Sequence, residues 1–251
     1  MSERRFLVLK TGEALPPVKA LHGDFEDWIA LGMGCGVEDL HVARVYLGDP
    51  LPSPDEISGV VITGSPAMVT EASDWSEASA RWLAAVVRDD AVPALGLCYG
   101  HQLLAHGLGG EVGINPNGRE MGTVDVTFPE PSEGVAAGAA AGNPLAPLFE
   151  AGVFPGHMSH LESVLRVPAG ARVLARTALD PHAAVEFGPR QWGVQFHPEF
   201  DRPILQRYVE TRREVLTAEG LDPDRMIEDA RETPALARVL KRFAEWAAAD
   251  R

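Results

Sequence analysis

The chain has 251 residues, 45% of them apolar and 23% charged, and a formal net charge of −14 from 22 basic and 36 acidic side chains. That length suits one domain with an appendage, and the composition is that of a globular protein with ample core. An acidic surface repels phosphate backbones and argues against nucleic acid as a partner, and no apolar run approaches the length of a membrane span.

The opening apolar run, residues 6–9, is too short for the core of a signal peptide. "RFLVLK" (5–10) reads as a strand, "DFEDWIALGMG" (24–34) as a short helix and "LHVARVYL" (40–47) as a strand. "GVVITGS" (59–65) is a β-branched strand that runs into Gly64-Ser65-Pro66. "DWSEASARWLAAVVRDD" (74–90) has helical spacing, "VPALGLC" (92–98) is a strand, and "YGHQLLAHGLG" (99–109) is a helix stopped by glycine. Continuous apolar strands between helices predict an α/β fold: three layers, a mostly parallel sheet with helices on both faces. "GMGCG" (32–36) follows a helical run, so it reads as a helix end, with Cys35 structural.

After Gly110 the pattern changes. "TVDVTF" (123–128) alternates as a strand with one exposed face, and "PEPSEGVAAGAAAGNP" (129–144) reads as a loop insertion. "ARVLARTA" (171–178), "AAVEFG" (183–188) and "WGVQFHPE" (192–199) are further strands, with Gly188-Pro189 at a hairpin turn. From about residue 203 the chain is helical and charged, in pieces opened by Asp or Thr near Pro. Leu236, Val239, Leu240 and Phe243 form one apolar face of the last helix. Residues 203–251 are therefore expected to be a helical extension packed on a domain formed by residues 1–202.

Two cysteines, Cys35 and Cys98, make no disulfide framework and no CxxC, so a reducing cytoplasm is the expected compartment. Cys98 stands in Gly96-Leu97-Cys98-Tyr99-Gly100, between an apolar strand and a helix. This is the cysteine counterpart of the G-x-S-x-G nucleophile elbow. The turn is sharp, and a β-carbon on either glycine would collide with a neighbouring element. A thiol placed there meets a helix N-terminus that favours thiolate, and the Tyr99 N–H is free to face an oxyanion. A cysteine nucleophile needs a base, and the base an orienting group. His197-Pro198-Glu199 supplies both: in an extended chain His197 and Glu199 share a face, roughly 7 Å apart. His157 and His160 lack the companions of a metal site, and no metal is expected. No P-loop is present, hence no nucleotide site of that kind.

Together, "GLCYGHQLLAHGLGG" (96–110) and "GVQFHPE" (193–199) resemble the nucleophile and His/Glu motifs of the class I, triad-type glutamine amidotransferases. "VVITGSP" (60–66) resembles the family's Gly-rich oxyanion strand, with Ser65 in place of its second glycine. "GREMG" (118–122) and "MSHLESV" (158–164) resemble segments of the glutaminase domain of GMP synthetase. The resemblance covers about residues 40–200 and implies a flavodoxin-like fold and hydrolysis of glutamine to glutamate and ammonia through a γ-glutamyl thioester, with no cofactor. It implies Cys98 as nucleophile, His197 as base and then acid, Glu199 as orienter, and backbone N–H groups at Gly64, Ser65 and Tyr99 as the oxyanion hole. Gln102, and a loop of Ser159, His160, Leu161 and Glu162, would receive the amino-acid end of the substrate; Leu161-Glu162 stands where GMP synthetase has Gly-Asp. Some 50 helical residues cannot make a synthase, so a separate synthase subunit, or a protein working alone, is expected. Alternatives stay open: a hydrolase or transferase of γ-glutamyl conjugates on the same scaffold, or a non-catalytic binding protein.

Overall fold

The computed structural model describes residues 4–129 and 152–249; nearly all of the Gly/Ala-rich stretch read as a loop insertion lies outside them. The first half alternates as its apolar runs predict: β1 (Arg5–Lys10), α1 (Pro16–His22), α2 (Phe25–Met33), β2 (Leu40–Arg44), β3 (Ile57–Ile62), α3 (Asp74–Arg88), β4 (Ala94–Leu97) and α4 (Tyr99–Gly107). Then come β5 (Glu111–Ile114), β6 (Glu120–Phe128), β7 (Gly152–His160), β8 (Glu162–Arg166), β9 (Arg172–Ala175), β10 (Ala184–Gly188) and β11 (Gln191–Val194). Four helices follow: α5 (Arg202–Thr211), α6 (Arg213–Ala218), α7 (Pro223–Glu228) and α8 (Pro234–Ala249).

Seven strands form one sheet in the order β2-β1-β3-β4-β11-β10-β9. The first five run parallel, and β10 and β9 are antiparallel additions at one edge. The parallel part has the flavodoxin-like order, in which ligands bind beyond the carboxyl ends of the strands where the order reverses, between β1 and β3. Two antiparallel pairs, β5-β8 and β6-β7, stand apart from this sheet.

The pleat divides the core in two. Leu7, Leu9, Val60 and Ile62 face α3 and α4, while Val8, Val61, Leu95 and Val194 pack in the cluster that holds residues of α2, α5 and α8. With both faces covered, every residue of β3 and β4 is buried, which is why these strands read as unbroken apolar runs. Leu236, Val239, Leu240 and Phe243 of α8 are all buried in the second cluster. Phe243 packs 6.2 Å from the ring of Phe6, and Trp246 lies edge-on to Trp192 at 5.4 Å. A β-carbon on Gly32 of α2 would lie 2.5 Å from Cδ1 of Leu240, so α2 and α8 meet closely.

Some local readings change. "LHVARVYL" is a strand only to Arg44; residues 45–47 form a 3₁₀ turn closed by Gly48 in the left-handed region. Helix α1 opens on the pair Pro16-Pro17 itself, because proline in the first helical turn forfeits no intrahelical bond. The "GMGCG" stretch is unchanged as a helix end: it closes α2, with Gly34 left-handed at φ 81°. No helix among the described residues is long and apolar enough to cross a membrane.

Because Phe243 is fully buried against the sheet, Phe243→Ala should lower the unfolding free energy by about 3–5 kcal/mol. Urea unfolding followed by circular dichroism measures this, and a change below about 1 kcal/mol would mean that α8 is dispensable to the core.

Candidate active site

The site is built around the connection from β4 to α4. Cys98 precedes the first residue of α4 with φ 49° and ψ −100°, a conformation that costs a non-glycine residue on the order of 1–3 kcal/mol. Two glycines permit it. A β-carbon on Gly96 would lie 2.5 Å from the carbonyl of Gly100, and one on Gly100 would lie 2.6 Å from the carbonyl oxygen of Ile62 on β3. Both obstacles are backbone, which cannot rotate aside. The turn is held by Cys98 N donating to Val194 O (2.8 Å) and Gln102 N donating to Cys98 O (3.1 Å). The buried sulfur therefore sits at the N-terminus of α4.

His197 lies three residues beyond β11, and its main-chain N–H donates to His157 O at 2.9 Å. Its Nδ1 donates to Glu199 Oε1 at 2.7 Å, and both side chains are buried. That bond commits the ring, leaving Nε2 without a hydrogen-bond partner in a cleft shared with Cys98. The imidazole stacks on Phe200 at 4.0 Å, and Phe200 stacks on Tyr208 of α5 at 4.8 Å. Burial opposes the imidazolium, but the Glu199 carboxylate and the Cys98 sulfur outweigh it and push the His197 pKa up to about 10. Neighbouring His157 has no such partner. Burial, helped by the His197 charge, pushes its pKa down to about 4, while its Nδ1 meets Thr123 Oγ1 at 3.2 Å.

The extension of β3 passes against the same ring: a β-carbon on Gly64 would lie 3.0 Å from His197 Cε1. Thr11 Oγ1 (2.9 Å) and Thr63 Oγ1 (2.8 Å) both donate to Gly64 O, while the N–H groups of Gly64 and Ser65 take no partner among the described residues. Ser65 Oγ donates to Thr11 O (2.9 Å) and accepts from Ala67 N (3.1 Å), so this hydroxyl ties the β3 loop to the end of β1. Tyr99 opens α4, where an N–H has no intrahelical acceptor. Its ring stacks on Trp75 at 5.8 Å, its hydroxyl meets Ser76 Oγ at 2.6 Å, and burial pushes the phenol up to about 12.

Gln102 is buried on α4. Its Nε2 donates to Glu162 O (2.7 Å) and to Gln195 Oε1 (3.1 Å), and Gln195 Nε2 donates to Cys98 Sγ (3.4 Å). Gln195 escapes a motif search for a nucleophile and a base. Its signal is a polar residue between two apolar ones, Val194 and Phe196, in a fully buried run.

Residues 159–162 are not an open loop. Ser159 and His160 end β7, Leu161 makes the bend, and Glu162 begins β8. His160 meets Glu162 O through Nδ1 (2.9 Å) and Glu120 Oε2 through Nε2 (3.2 Å). The Glu162 carboxylate accepts from Val69 N (2.8 Å) and Thr70 Oγ1. These two side chains are engaged within the protein, while the stretch from Ser159 to Glu162 lines a cleft with Tyr99, Gln102 and Cys98. Arg119, Tyr208 and Arg212 also line the clefts at Cys98. In the sequence they are indistinguishable from ordinary charged or amphipathic surface positions.

A mostly parallel α/β sheet whose central strand ends in a cysteine elbow, with a buried histidine–carboxylate pair just beyond the adjacent strand, frames the site. The chain belongs to the class I glutamine amidotransferase family, whose model matches residues 38–208. It is 42% identical over 170 residues to the glutamine-hydrolyzing GMP synthase of Aeropyrum pernix, covering 68% of this chain and 28% of that protein. It is 38% identical over 144 residues to the same enzyme of Alteromonas mediterranea, covering 56% and 25%. The chain thus matches about a quarter of the length of these relatives. Among solved structures, a glutamine amidotransferase from Thermotoga maritima superposes with a TM-score of 0.73 at 17% identity, covering 98% of this chain and 99% of the other. One from Methylobacillus flagellatus gives 0.67 at 21% identity, covering 99% and 94%. These likenesses show the fold.

The charge on His197 depends on Glu199, because burial alone disfavours it. Ring-nitrogen NMR should find His197 protonated at pH 8 and titrating near pH 10. In Glu199→Gln the titration should move down to neutral pH or below. A titration unmoved by that substitution would show that Glu199 does not hold the charge.

Proposed function

We propose that this protein hydrolyses γ-glutamyl amides, glutamine foremost, through a thioester on Cys98. The observation that carries the reading is the strained Cys98 elbow opening on the buried His197–Glu199 pair. His197 already holds the thiol proton as an imidazolium beside the sulfur, and Cys98 Sγ attacks the side-chain amide carbon. The oxygen of the tetrahedral adduct faces the N–H groups of Tyr99 and of Gly64 or Ser65. Because such donors are main-chain groups, the serine at 65 keeps the function of the family's glycine. The C–N bond breaks as His197 gives its proton to the departing nitrogen, which leaves as ammonia. Water, deprotonated by His197, then attacks the thioester; the C–S bond breaks, and glutamate and the free thiol are restored. Glu199 holds the ring in one tautomer throughout, and Gln195 keeps the sulfur oriented.

The glutamyl moiety fits the cleft of Gln102, Tyr99 and residues 159–162. Ammonia then passes to a synthase partner, as the names of the GMP synthase relatives suggest. A second reading, hydrolysis or transfer of γ-glutamyl conjugates, is favoured by the cleft that continues from Cys98 and His197 to Glu13, Leu15, Phe25 and Tyr208, where a departing amine would face.

Ammonia release from glutamine should fall in Cys98→Ala by on the order of 10⁴-fold or more. The wild-type enzyme, quenched in mid-turnover, should carry a glutamyl adduct on the Cys98 peptide by mass spectrometry. Ammonia release that survives the substitution would exclude the thioester route.

A further inference from the structure

Arg212 stands at the junction of α5 and α6, four residues beyond the segment that the family model matches. Its side chain lines both clefts that meet at Cys98: the one shared with His197, Phe25 and Tyr208, and the one shared with Gln102 and Ser159. Its Nε is buried without a hydrogen-bond partner, and no carboxylate pairs with the guanidinium among the described residues. The other buried or half-buried cations nearby are matched. Lys10 holds Asp24 and Glu26 at 2.8 and 2.6 Å, and Arg119 makes a two-pronged pair with Glu219 at 2.7 and 2.9 Å.

A cation withdrawn from water is costly unless an anion replaces its hydration. Burial and the like charge of Arg119 both weigh against the Arg212 charge, and Arg119 is itself spent on Glu219. The guanidinium is a planar fork that matches a carboxylate through two parallel hydrogen bonds. What Arg212 lacks is that carboxylate, and it lacks it in a cleft that opens on the nucleophile.

We infer that Arg212 binds a carboxylate of the substrate, so that the C-terminal helices complete the active site rather than merely cover the sheet. The inference rests on the reading of Cys98 as the acceptor of a γ-glutamyl group. Such a substrate carries a carboxylate on its acyl part, and a conjugate with an amino acid carries a second on the departing amine. Either source presents the same chemistry to Arg212.

The test compares Cys98 alkylation by iodoacetate with that by iodoacetamide in wild type, Arg212→Met and Arg212→Lys. The two reagents share one electrophilic carbon and differ in a carboxylate against an amide. Both react with the thiolate, so any change in thiol ionisation cancels in the ratio of rates. The ratio of iodoacetate to iodoacetamide rates should drop on the order of 10-fold in Arg212→Met, with Arg212→Lys in between. Thermal melting of each variant controls for folding. An unchanged ratio in folded Arg212→Met overturns the inference whether or not the protein hydrolyses glutamine.

Steady-state kinetics identify the source. If the acyl carboxylate is bound, KM for glutamine rises on the order of 10- to 100-fold in Arg212→Met, more than kcat falls. If the carboxylate of the departing amine is bound, KM rises for γ-glutamylglycine but not for γ-glutamylmethylamide. A KM unmoved for all three substrates overturns the inference.

Discussion

Everything at this site depends on three backbones meeting without side chains between them. The β4–α4 turn closes on itself at Gly96 and Gly100, and α4 starts directly against the carbonyl of Ile62 on β3. That contact aims the sulfur of Cys98 at the crevice, puts it on a helix N-terminus, and brings the Gly64-Ser65 main chain to the edge of the His197 ring. The energy stored in the Cys98 backbone is small beside the packing that imposes it: β3 and β4 are buried along their whole lengths. A buried parallel sheet is stiff enough to hold one residue in a conformation it would not otherwise adopt.

Within that frame the electrostatics are a contest between burial and partners. His197 and His157 sit side by side and are both buried, yet their pKa values are driven in opposite directions. The difference is Glu199, a carboxylate committed to one imidazole nitrogen. Gln102 and Gln195 extend the same logic to the sulfur. The Gln102 amide fixes which end of Gln195 is the donor, and that donor faces Cys98. Polar groups buried this deeply tolerate few alternative arrangements, because each unsatisfied one is expensive. Against this background Arg212 lines the clefts with its Nε unpartnered and no carboxylate on its guanidinium among the described residues.

The assembly is strongly non-local. Residues 11–12 and 63–65 follow β1 and β3, 98–102 come from the elbow, 157–160 from β7 and 162 from β8 in two separate antiparallel pairs, and 195–199 follow the last parallel strand. The C-terminal helices reach back over this group. Tyr208 stacks on the aromatic chain behind His197, Arg212 lines the clefts, and α8 seals the sheet through Phe243 and Trp246. What reads in the sequence as an extension is folded into the same core as β1 and α2.

The alternation of apolar strands with amphipathic helices was legible because each obeys a local period, and the elbow was legible because only glycine suits both of its flanks. The pairing of His197 with Glu199 could be expected from the spacing of two residues in an extended chain. Strands β5, β7 and β8 were not legible: each is partly exposed, β5 and β7 are interrupted by Gly or Pro, and all three are stabilised by partners distant in the chain. Nor could a sequence show that the carboxylate of Glu162 turns to Val69 and Thr70, that Gln195 reaches the sulfur, or that Arg212 lines the site. The sequence by itself determined the alternation of strands and helices, the turn at Cys98 and the adjacency of His197 and Glu199, since these follow from local sterics and hydrophobic period. Which buried polar groups are paired, and which side chains line the clefts, was decided only by the tertiary structure, because pairing depends on distances between residues far apart in the chain.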